Sequence, residues 1–185
     1  MRGLLLLPLL ACQGKQEAPP PTGPAAIQVR DDSGVLVAEV RPLRPCRGAV
    51  GPIELIVGGP PLLATVGSTR WTGTSAENGT TLLRNGDAVA RVYPVGDATT
   101  ASVLDTRGVA LARVAAIGKT AVVSNAASVP VRNLRLEGDS IIADQPHLTI
   151  TGTQDLVLAG LLSAPELSPE VRVLAACERV LVKDP

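Results

Sequence analysis

The feature that most constrains the fold is a strand–turn–strand pattern that recurs along the chain. Three β-branched segments, at 34–42, 87–94 and 108–116, share an Ala-(Glu/Arg)-Val centre, and each follows a turn sequence. One of these turns is Asn85-Gly86, a strong hairpin signal because both central residues of a type I′ turn need positive φ. The pattern therefore predicts a series of antiparallel β-hairpins.

Other apolar runs between turn signals predict more strands. Partner strands precede the turns, a fourth hairpin is expected over 132–143, and isolated strands complete the set; the additional strands are 27–30, 52–57, 62–66, 80–84, 101–104, 119–124, 132–137, 140–143 and 148–151. Alternation places Ala38 and Val40 on one face and Glu39 on the solvent side. About a dozen short strands favour a mainly β fold, an antiparallel barrel or sandwich of hairpins.

The C-terminal segment carries a helix start signal. Ser168 suits the N-cap, Pro169 the first helical position, and Glu170 the positive end of the helix dipole. The spacing predicts a helix over 168–182, and its apolar residues surround most of the wheel, so that it would be buried on several faces. A strand is the alternative, because VRV and RVLV are β-branched and partly alternating. With the helix, the fold class is mainly β with one buried C-terminal α-helix, a single β-rich domain over 27–185.

The N-terminus contains a basic start followed by a short apolar run at 4–11. This run is far shorter than the roughly 20 residues of a membrane-spanning helix, and it fits a secretory signal peptide over 1–11. It ends in Leu9-Leu10-Ala11-Cys12, which resembles the lipobox of bacterial lipoproteins. The resemblance implies that Cys12 receives a diacylglycerol and becomes the first residue of the mature chain. The alternative is a buried N-terminal strand with an ordinary cysteine.

Residues 12–26 are expected to form a lipidated tether. The segment after Cys12 is polar and proline-rich, and Pro19-Pro20-Pro21 favours extended polyproline II. By resemblance to Gram-negative lipoproteins, Gln13 after the cysteine favours the outer membrane. The predicted localisation is the bacterial cell envelope, with the membrane as a partner through Cys12.

Two cysteines remain once Cys12 is assigned to lipid. An even pair in an exported protein suggests a disulfide between Cys46 and Cys177. Two separate buried thiols are the alternative. The chain contains no Cys-x-x-Cys motif, which argues against a redox motif or a zinc pair.

Composition argues against several ligand classes. The formal net charge is zero, so nothing indicates nucleic acid. Trp71 and Tyr93 are the only aromatic residues, and surfaces that stack on sugars or bases need aromatic faces. We expect Trp71 to lie in the core.

Catalytic and metal-ligating residues are sparse. His147 is the only histidine, and no Gly-x-Ser-x-Gly elbow accompanies it. The aspartates lie mostly at turns, where their side chains bond to the backbone, and the EF-hand pattern is absent; these are Asp31, Asp32, Asp87, Asp105, Asp139 and Asp144. No catalytic residue, cofactor or metal is therefore predicted, although two aspartates meeting at calcium stay an alternative.

The rhythm of hairpins, followed by a hydrophobic C-terminal helix, is similar to the tubby C-terminal/LURP-one/scramblase-like group over about 27–182. The resemblance implies antiparallel strands around a central apolar helix, and its members bind phosphoinositides or other lipids. No cluster of basic residues for a lipid head group is visible in the sequence.

Three hypotheses on function follow. The first is a non-catalytic, lipid-anchored envelope protein that acts as an interaction or structural module, with an envelope protein as a possible partner. The second is a carrier of lipid or another hydrophobic ligand in the barrel interior. The third is a hydrolase that uses His147.

Overall fold

The structure is a computed structural model, and it describes residues 24–59, 61–76, 79–93 and 98–183. Within these ranges the chain forms one antiparallel sheet followed by two helices. The strands are β1 (Ile27–Asp31), β2 (Leu36–Arg41), β3 (Cys46–Val50), β4 (Ile53–Val57), β5 (Leu63–Val66), β6 (Thr69–Ala76), β7 (Gly79–Arg84), β8 (Asp87–Tyr93), β9 (Thr100–Leu104), β10 (Ala110–Ile117), β11 (Thr120–Asn125), β12 (Pro130–Glu137), β13 (Ser140–Ala143) and β14 (Leu148–Thr151). The helices are α1 (Leu156–Ser163) and α2 (Pro169–Lys183).

The sheet is a nearly closed up-and-down barrel. Strands that follow each other in sequence pair side by side, and β14 returns to pair with β1. Strands β4 and β5 are the two edges, and they are joined by the single bridge Gly58–Leu63. The prediction of a mainly β fold is therefore confirmed, and of its two forms the structure is the barrel.

The repeated Ala-(Glu/Arg)-Val centre follows the alternation of inward-facing and outward-facing side chains along the strands of this barrel. The alanine and valine of each copy, in β2, β8 and β10, are buried. The charged residue between them faces outward, and Arg91 and Arg113 are exposed. Small inward side chains leave room for the helices, because Ala and Val project less far from a strand than Leu or Ile.

Both helices lie inside the barrel. Every residue of α1 is buried, and α2 is buried along most of its length. Two glycines permit the close approach: a Cβ on Gly160 of α1 would lie 2.5 Å from Val114 Cγ1, and one on Gly48 of β3 would lie 2.5 Å from Val173 Cγ1. A filled interior of this kind explains how a chain with two aromatic residues builds a core.

Turns alternate between the two ends of the barrel because each strand runs antiparallel to the next. We call one end the upper rim, which carries the turns 32–35, 51–52, 67–68, 85–86, 105–109, 126–129 and 144–147. The other end, the lower rim, carries 24–26, 42–45, 118–119, 138–139 and 152–154. Helix α1 rises from the lower rim, residues 164–168 turn at the upper rim, and α2 descends until the Arg44 side chain donates to the Leu181 carbonyl (3.4 Å).

The predicted C-terminal helix is confirmed as α2, and Ser168 Oγ accepts the Val171 N–H at 3.4 Å as the expected cap. Helix α1 is an addition to the predicted single helix. Asp155 caps it, accepting from the N–H groups of Val157 and Leu158. Its eight residues are apolar all round, so no helical periodicity marks them in the sequence.

Strands β3 and β6 also go beyond the predicted set. In β3 the inward position between Cys46 and Val50 is Gly48, and in β6 Gly73 follows Trp71 on the inward face. Glycine is depleted in strands because it adds no packing, so neither segment was assigned as a strand from sequence.

Candidate functional site

The cysteine predicted to carry lipid, Cys12, and the signal peptide and most of the tether lie outside the described residues. The other two cysteines form the predicted disulfide: Cys46 of β3 and Cys177 of α2 are bonded, with both side chains buried. The bond attaches α2 to the barrel wall, so the alternative of two separate thiols is wrong. A disulfide of this kind suits an oxidising compartment.

His147 is at the upper rim, where half of its side chain is exposed. Its nearest acidic partner is Asp32, with 3.9 Å between His147 Nε2 and Asp32 Oδ1. Both side chains are exposed and lie in two different turns of the upper rim, so this contact contributes little. Among the described residues, no serine hydroxyl donates to His147.

Two of the six aspartates, Asp31 and Asp105, take the turn role predicted for them. Asp31 Oδ1 accepts the N–H groups of Ser33 and Val35 (2.9 and 3.0 Å), and Asp105 Oδ1 accepts those of Arg107 and Val109 (both 2.9 Å). In the part of the chain that the structure describes, no group of three His, Cys, Asp or Glu side chains comes together as metal ligands.

Trp71 lies in the core, as predicted, with 4% of its surface exposed. Its indole Nε1 is buried without a hydrogen-bond partner among the described residues. The interior around it is filled by α1, α2 and the inward strand residues. A ligand placed there, as the carrier hypothesis requires, would have to displace these side chains.

The lower half of the barrel holds a buried ion pair. Arg179 of α2, 4% exposed, donates from Nε to Asp155 Oδ2 at 2.7 Å and from Nη2 to Asp155 Oδ1 at 3.0 Å. Nη2 also donates to the Ala98 carbonyl at 3.0 Å. The two parallel bonds are the bidentate geometry that suits an arginine and a carboxylate.

A buried carboxyl comes one residue before Arg179 in α2. Glu178 of α2 is 6% exposed, and the Thr80 hydroxyl of β7 donates to its Oε1. Burial raises the pKa of Glu178, and the hydrogen bond from Thr80 lowers it in part. The carboxyl is thus held in the core by one neutral donor.

The upper rim holds two arginines that sequence reasoning missed. Arg132 of β12 is 5% exposed, and its Nη1 donates to the Ser163 carbonyl, the last of α1. Its Nε is buried and makes no hydrogen bond with any described residue. The guanidinium is therefore only partly satisfied by hydrogen bonds within the described residues.

Arg172 of α2 lies beside Arg132. Its Nε donates to the Leu167 carbonyl at 2.9 Å and its Nη2 to the Pro165 carbonyl at 3.1 Å. The two arginines thus donate to different carbonyl groups, Arg132 to the last residue of α1 and Arg172 to the segment between α1 and α2. Cations near the end of α1 also interact favourably with its dipole.

No carboxylate pairs with either arginine among the described residues. Burial lowers the pKa of Arg132, and the charge of Arg172 lowers it further. Burial also lowers the pKa of Arg172, against which the exposed carboxylate of Glu166 acts from a distance. Two like charges therefore lie close together in a largely buried place without a paired counter-ion.

A cavity of about 180 Å³, which we call the rim pocket, lies against these arginines. Its floor and walls are apolar side chains of β1, β2, β14 and α1, and Pro146 and Pro165 border it at the rim. The wall residues are Val29, Val37, Ala38, Leu148 and Leu162. A few polar groups converging on an apolar cavity is the usual form of a small-molecule site.

One signal in the sequence could have found Arg132. In β12 the inward positions alternate, so that an arginine at 132 is in phase with the buried Leu134. An inward arginine on an otherwise apolar face is rare enough to mark a site. Arg172 carries no such signal, because an arginine in the first turns of a helix is ordinary.

Comparisons with protein families, with curated proteins and with solved structures find no match to this chain. The resemblances to lipoproteins and to the tubby-like group therefore stay predictions. Over the described residues, neither helix combines the length and the hydrophobicity that a membrane-spanning segment requires.

Proposed function

We propose that the chain is a lipid-anchored protein of the bacterial cell envelope that binds an anionic group, without catalysis, at the upper rim of its barrel. The anchor in this proposal is Cys12, and the binding groups are Arg132 and Arg172. The observation that carries the binding role is the partly satisfied, 5% exposed guanidinium of Arg132 at the rim pocket.

The physical argument is that an uncompensated buried charge is costly. Desolvation of an ion is offset only by hydrogen bonds and a charge of opposite sign. Arg132 has one hydrogen bond and a neighbouring like charge, and the carboxylates of Glu166 and Asp144 act on it only from a distance, without an ion pair. An anion in the rim pocket would supply both missing interactions.

The course of the chain supports an anchor at the opposite end from the site. Residues 24–26 enter the barrel at the lower rim, whereas the rim pocket is at the upper rim. A proline-rich tether that leads to the lower rim would leave the pocket facing away from the bilayer. The disulfide agrees with export from the cytoplasm.

The anchor is tested by the intact mass of the protein extracted from bacterial membranes. We expect a chain that begins at Cys12 and carries two or three acyl chains, and a Cys12→Ser variant without them. A mass that corresponds to the unmodified chain from Met1 would overturn the anchor.

The anion site is tested by NMR of the arginine Nε–H groups in the full chain with Cys12→Ser. We expect acetate or inorganic phosphate to shift the Arg132 signal in a saturable way. Arg179, which already pairs with Asp155, is the internal control and should not move. An unchanged Arg132 signal with every anion would overturn the binding role.

A further inference from the structure

The charges around the rim pocket indicate the charge of its ligand. This step rests on the proposed function, since it assumes that an anion binds there. Arg132 and Arg172 contribute two positive charges, and the carboxylate of Glu166 acts electrostatically on both. Asp144, which accepts the backbone and side-chain N–H groups of Asn133 (2.7 and 3.1 Å), also acts electrostatically on Arg132. Neither carboxylate forms an ion pair with an arginine of the pocket, so the two guanidinium groups favour an anionic ligand, while the two nearby carboxylates disfavour more than one negative charge on it.

The guanidinium geometry agrees with a carboxylate. Arginine presents a planar fork of donors that matches the two oxygens of a carboxylate. The Nε of Arg132 has almost no accessible surface, so a ligand in the pocket would be bound through the terminal Nη2, which donates to no described residue. Arg172 uses Nε and Nη2 for the carbonyls of Leu167 and Pro165, which leaves its remaining N–H groups for a ligand.

The walls and volume of the pocket indicate what the carboxylate is attached to. A cavity of about 150 Å³ lined by apolar side chains holds benzene, which has six heavy atoms. The rim pocket, at about 180 Å³, is therefore of the size for roughly seven heavy atoms. A carboxylate accounts for three of them, and the valine and leucine walls suit a short branched aliphatic group for the rest.

We propose that the rim pocket binds a monocarboxylate with a short branched aliphatic group, held by Arg132 and Arg172 at the carboxylate and by Val29, Leu148 and Leu162 at the aliphatic end. Isovalerate, with seven heavy atoms, is the probe that matches this volume. The same atoms occur in the Cα, carboxylate and isopropyl group of a C-terminal valine, so the ligand could be a free acid or the end of a polypeptide.

The test is a titration of the full chain carrying Cys12→Ser, followed by the Arg132 Nε–H signal. The probes are isovalerate, its neutral isostere isovaleramide, acetate, inorganic phosphate and the peptide acetyl-Gly-Val with a free carboxylate. We expect isovalerate to bind at least about tenfold more tightly than acetate, because acetate leaves the apolar walls uncovered. Isovaleramide should not bind measurably, because it lacks the charge.

The outcomes separate this proposal from the proposed function. Binding of phosphate or acetate as tight as that of isovalerate would overturn the branched carboxylate and leave the anion site in place. No response of Arg132 to any anion would overturn both. Where isovalerate binds, equal or tighter binding of the peptide indicates a polypeptide C-terminus as the source, and exclusion of the peptide indicates a free acid.

Variants assign the contacts. Arg132→Met and Arg172→Met are each expected to weaken isovalerate binding by at least about tenfold, the loss of a charge-assisted hydrogen bond; both are followed by the backbone signals of Val29 and Leu148. Arg135→Met is the matched control on the same strand, since Arg135 is exposed and paired with Glu137. Binding that both arginine variants leave intact would overturn the assignment, and the probe series on the unsubstituted rim tests the ligand even if one variant does not fold.

Discussion

Arg179 and Arg132 are buried to the same degree, 4% and 5% exposed, but their surroundings differ. Arg179, in the lower half of the barrel, has a bidentate carboxylate in Asp155 and a carbonyl in Ala98. Arg132, at the upper rim, has one carbonyl and a second arginine nearby. The first arrangement pairs the guanidinium with a carboxylate within the fold, whereas the second has no ion pair among the described residues.

The difference teaches which end of the molecule serves stability. Asp155 both caps α1 and binds Arg179 of α2, so one side chain joins the two helices. The disulfide lies on the same helix, two residues from Arg179, and ties it to β3. The upper rim has no comparable connection through a carboxylate among the described residues. We therefore expect substitutions in the lower half of the barrel to reduce stability, and substitutions at the upper rim to reduce ligand binding.

The largest effect should come from the disulfide. It closes a loop of 131 residues, for which chain entropy predicts a loss of about 5 kcal/mol when it is removed. The measurement is urea denaturation of the full chain with Cys46→Ala and Cys177→Ala, against the oxidised chain. A loss below about 1 kcal/mol would contradict the view that this half of the barrel depends on the bond.

The next largest effect should come from removing the counter-ion of Arg179. We expect Asp155→Asn to lower the free energy of unfolding by about 3–5 kcal/mol, because it removes the carboxylate that pairs with the buried guanidinium of Arg179. Asparagine is itself a good N-cap, so the loss reports the charge and not the cap. Asp139→Asn, in the hairpin turn of β12 and β13, is the control and should change stability by less than about 0.5 kcal/mol. Equal losses in the two variants would show that the pair with Arg179 is unimportant.

A smaller, pH-dependent effect should come from Glu178. Burial raises its pKa above the ordinary value of 4.5. A raised pKa means that the protonated side chain contributes fully below the unfolded-state pKa, and that this contribution is lost as pH rises through the folded-state pKa. The loss is about 1.4 kcal/mol for each unit by which the pKa is raised.

The measurement is chemical denaturation from about pH 4 to about pH 8, the range in which a raised carboxyl pKa acts. Glu178→Gln keeps the size and an acceptor for Thr80 but does not ionise, so wild type should lose stability relative to it as pH rises. Glu54→Gln, at an exposed position of β4, is the control. A constant difference between wild type and Glu178→Gln over this range would contradict the raised pKa.

Most of the fold could be predicted from the sequence because alternation and turn chemistry are local. The centre at 38–40 and the turn Asn85-Gly86 have the roles that their residues indicate, and φ at these two turn positions is 54° and 97°. The segments missed are those whose inward positions are glycine, as in β3 and β6. Helix α1 was missed because burial on all sides removes the periodicity by which a helix is recognised.

The candidate site could not be predicted in the same way. It depends on Arg132 from β12 meeting Arg172 from α2 across 40 residues of chain, and on the absence of a paired carboxylate, which sequence does not display. Arg179 gave the same signal in sequence as Arg172, and the structure gave them opposite surroundings. Residues that look alike in sequence therefore need the fold before a role can be assigned.

The smallest effect on stability should come from Arg132→Met. Its size shows whether Arg132 mainly stabilises the segment between the helices or is instead available to bind a ligand. Methionine keeps much of the apolar stem while it removes an uncompensated charge, so the lost hydrogen bond to Ser163 is largely offset. We expect a change in the free energy of unfolding of less than about 1.5 kcal/mol, against about 3–5 kcal/mol for Arg179→Met, which breaks the buried ion pair with Asp155. Both are measured by urea denaturation without added carboxylate. Equal losses would mean that Arg132 stabilises the segment between the helices as strongly as Arg179 stabilises α1. The stability of Arg132→Met would then no longer support an anion site at the rim pocket, and the titration with isovalerate would be its only test.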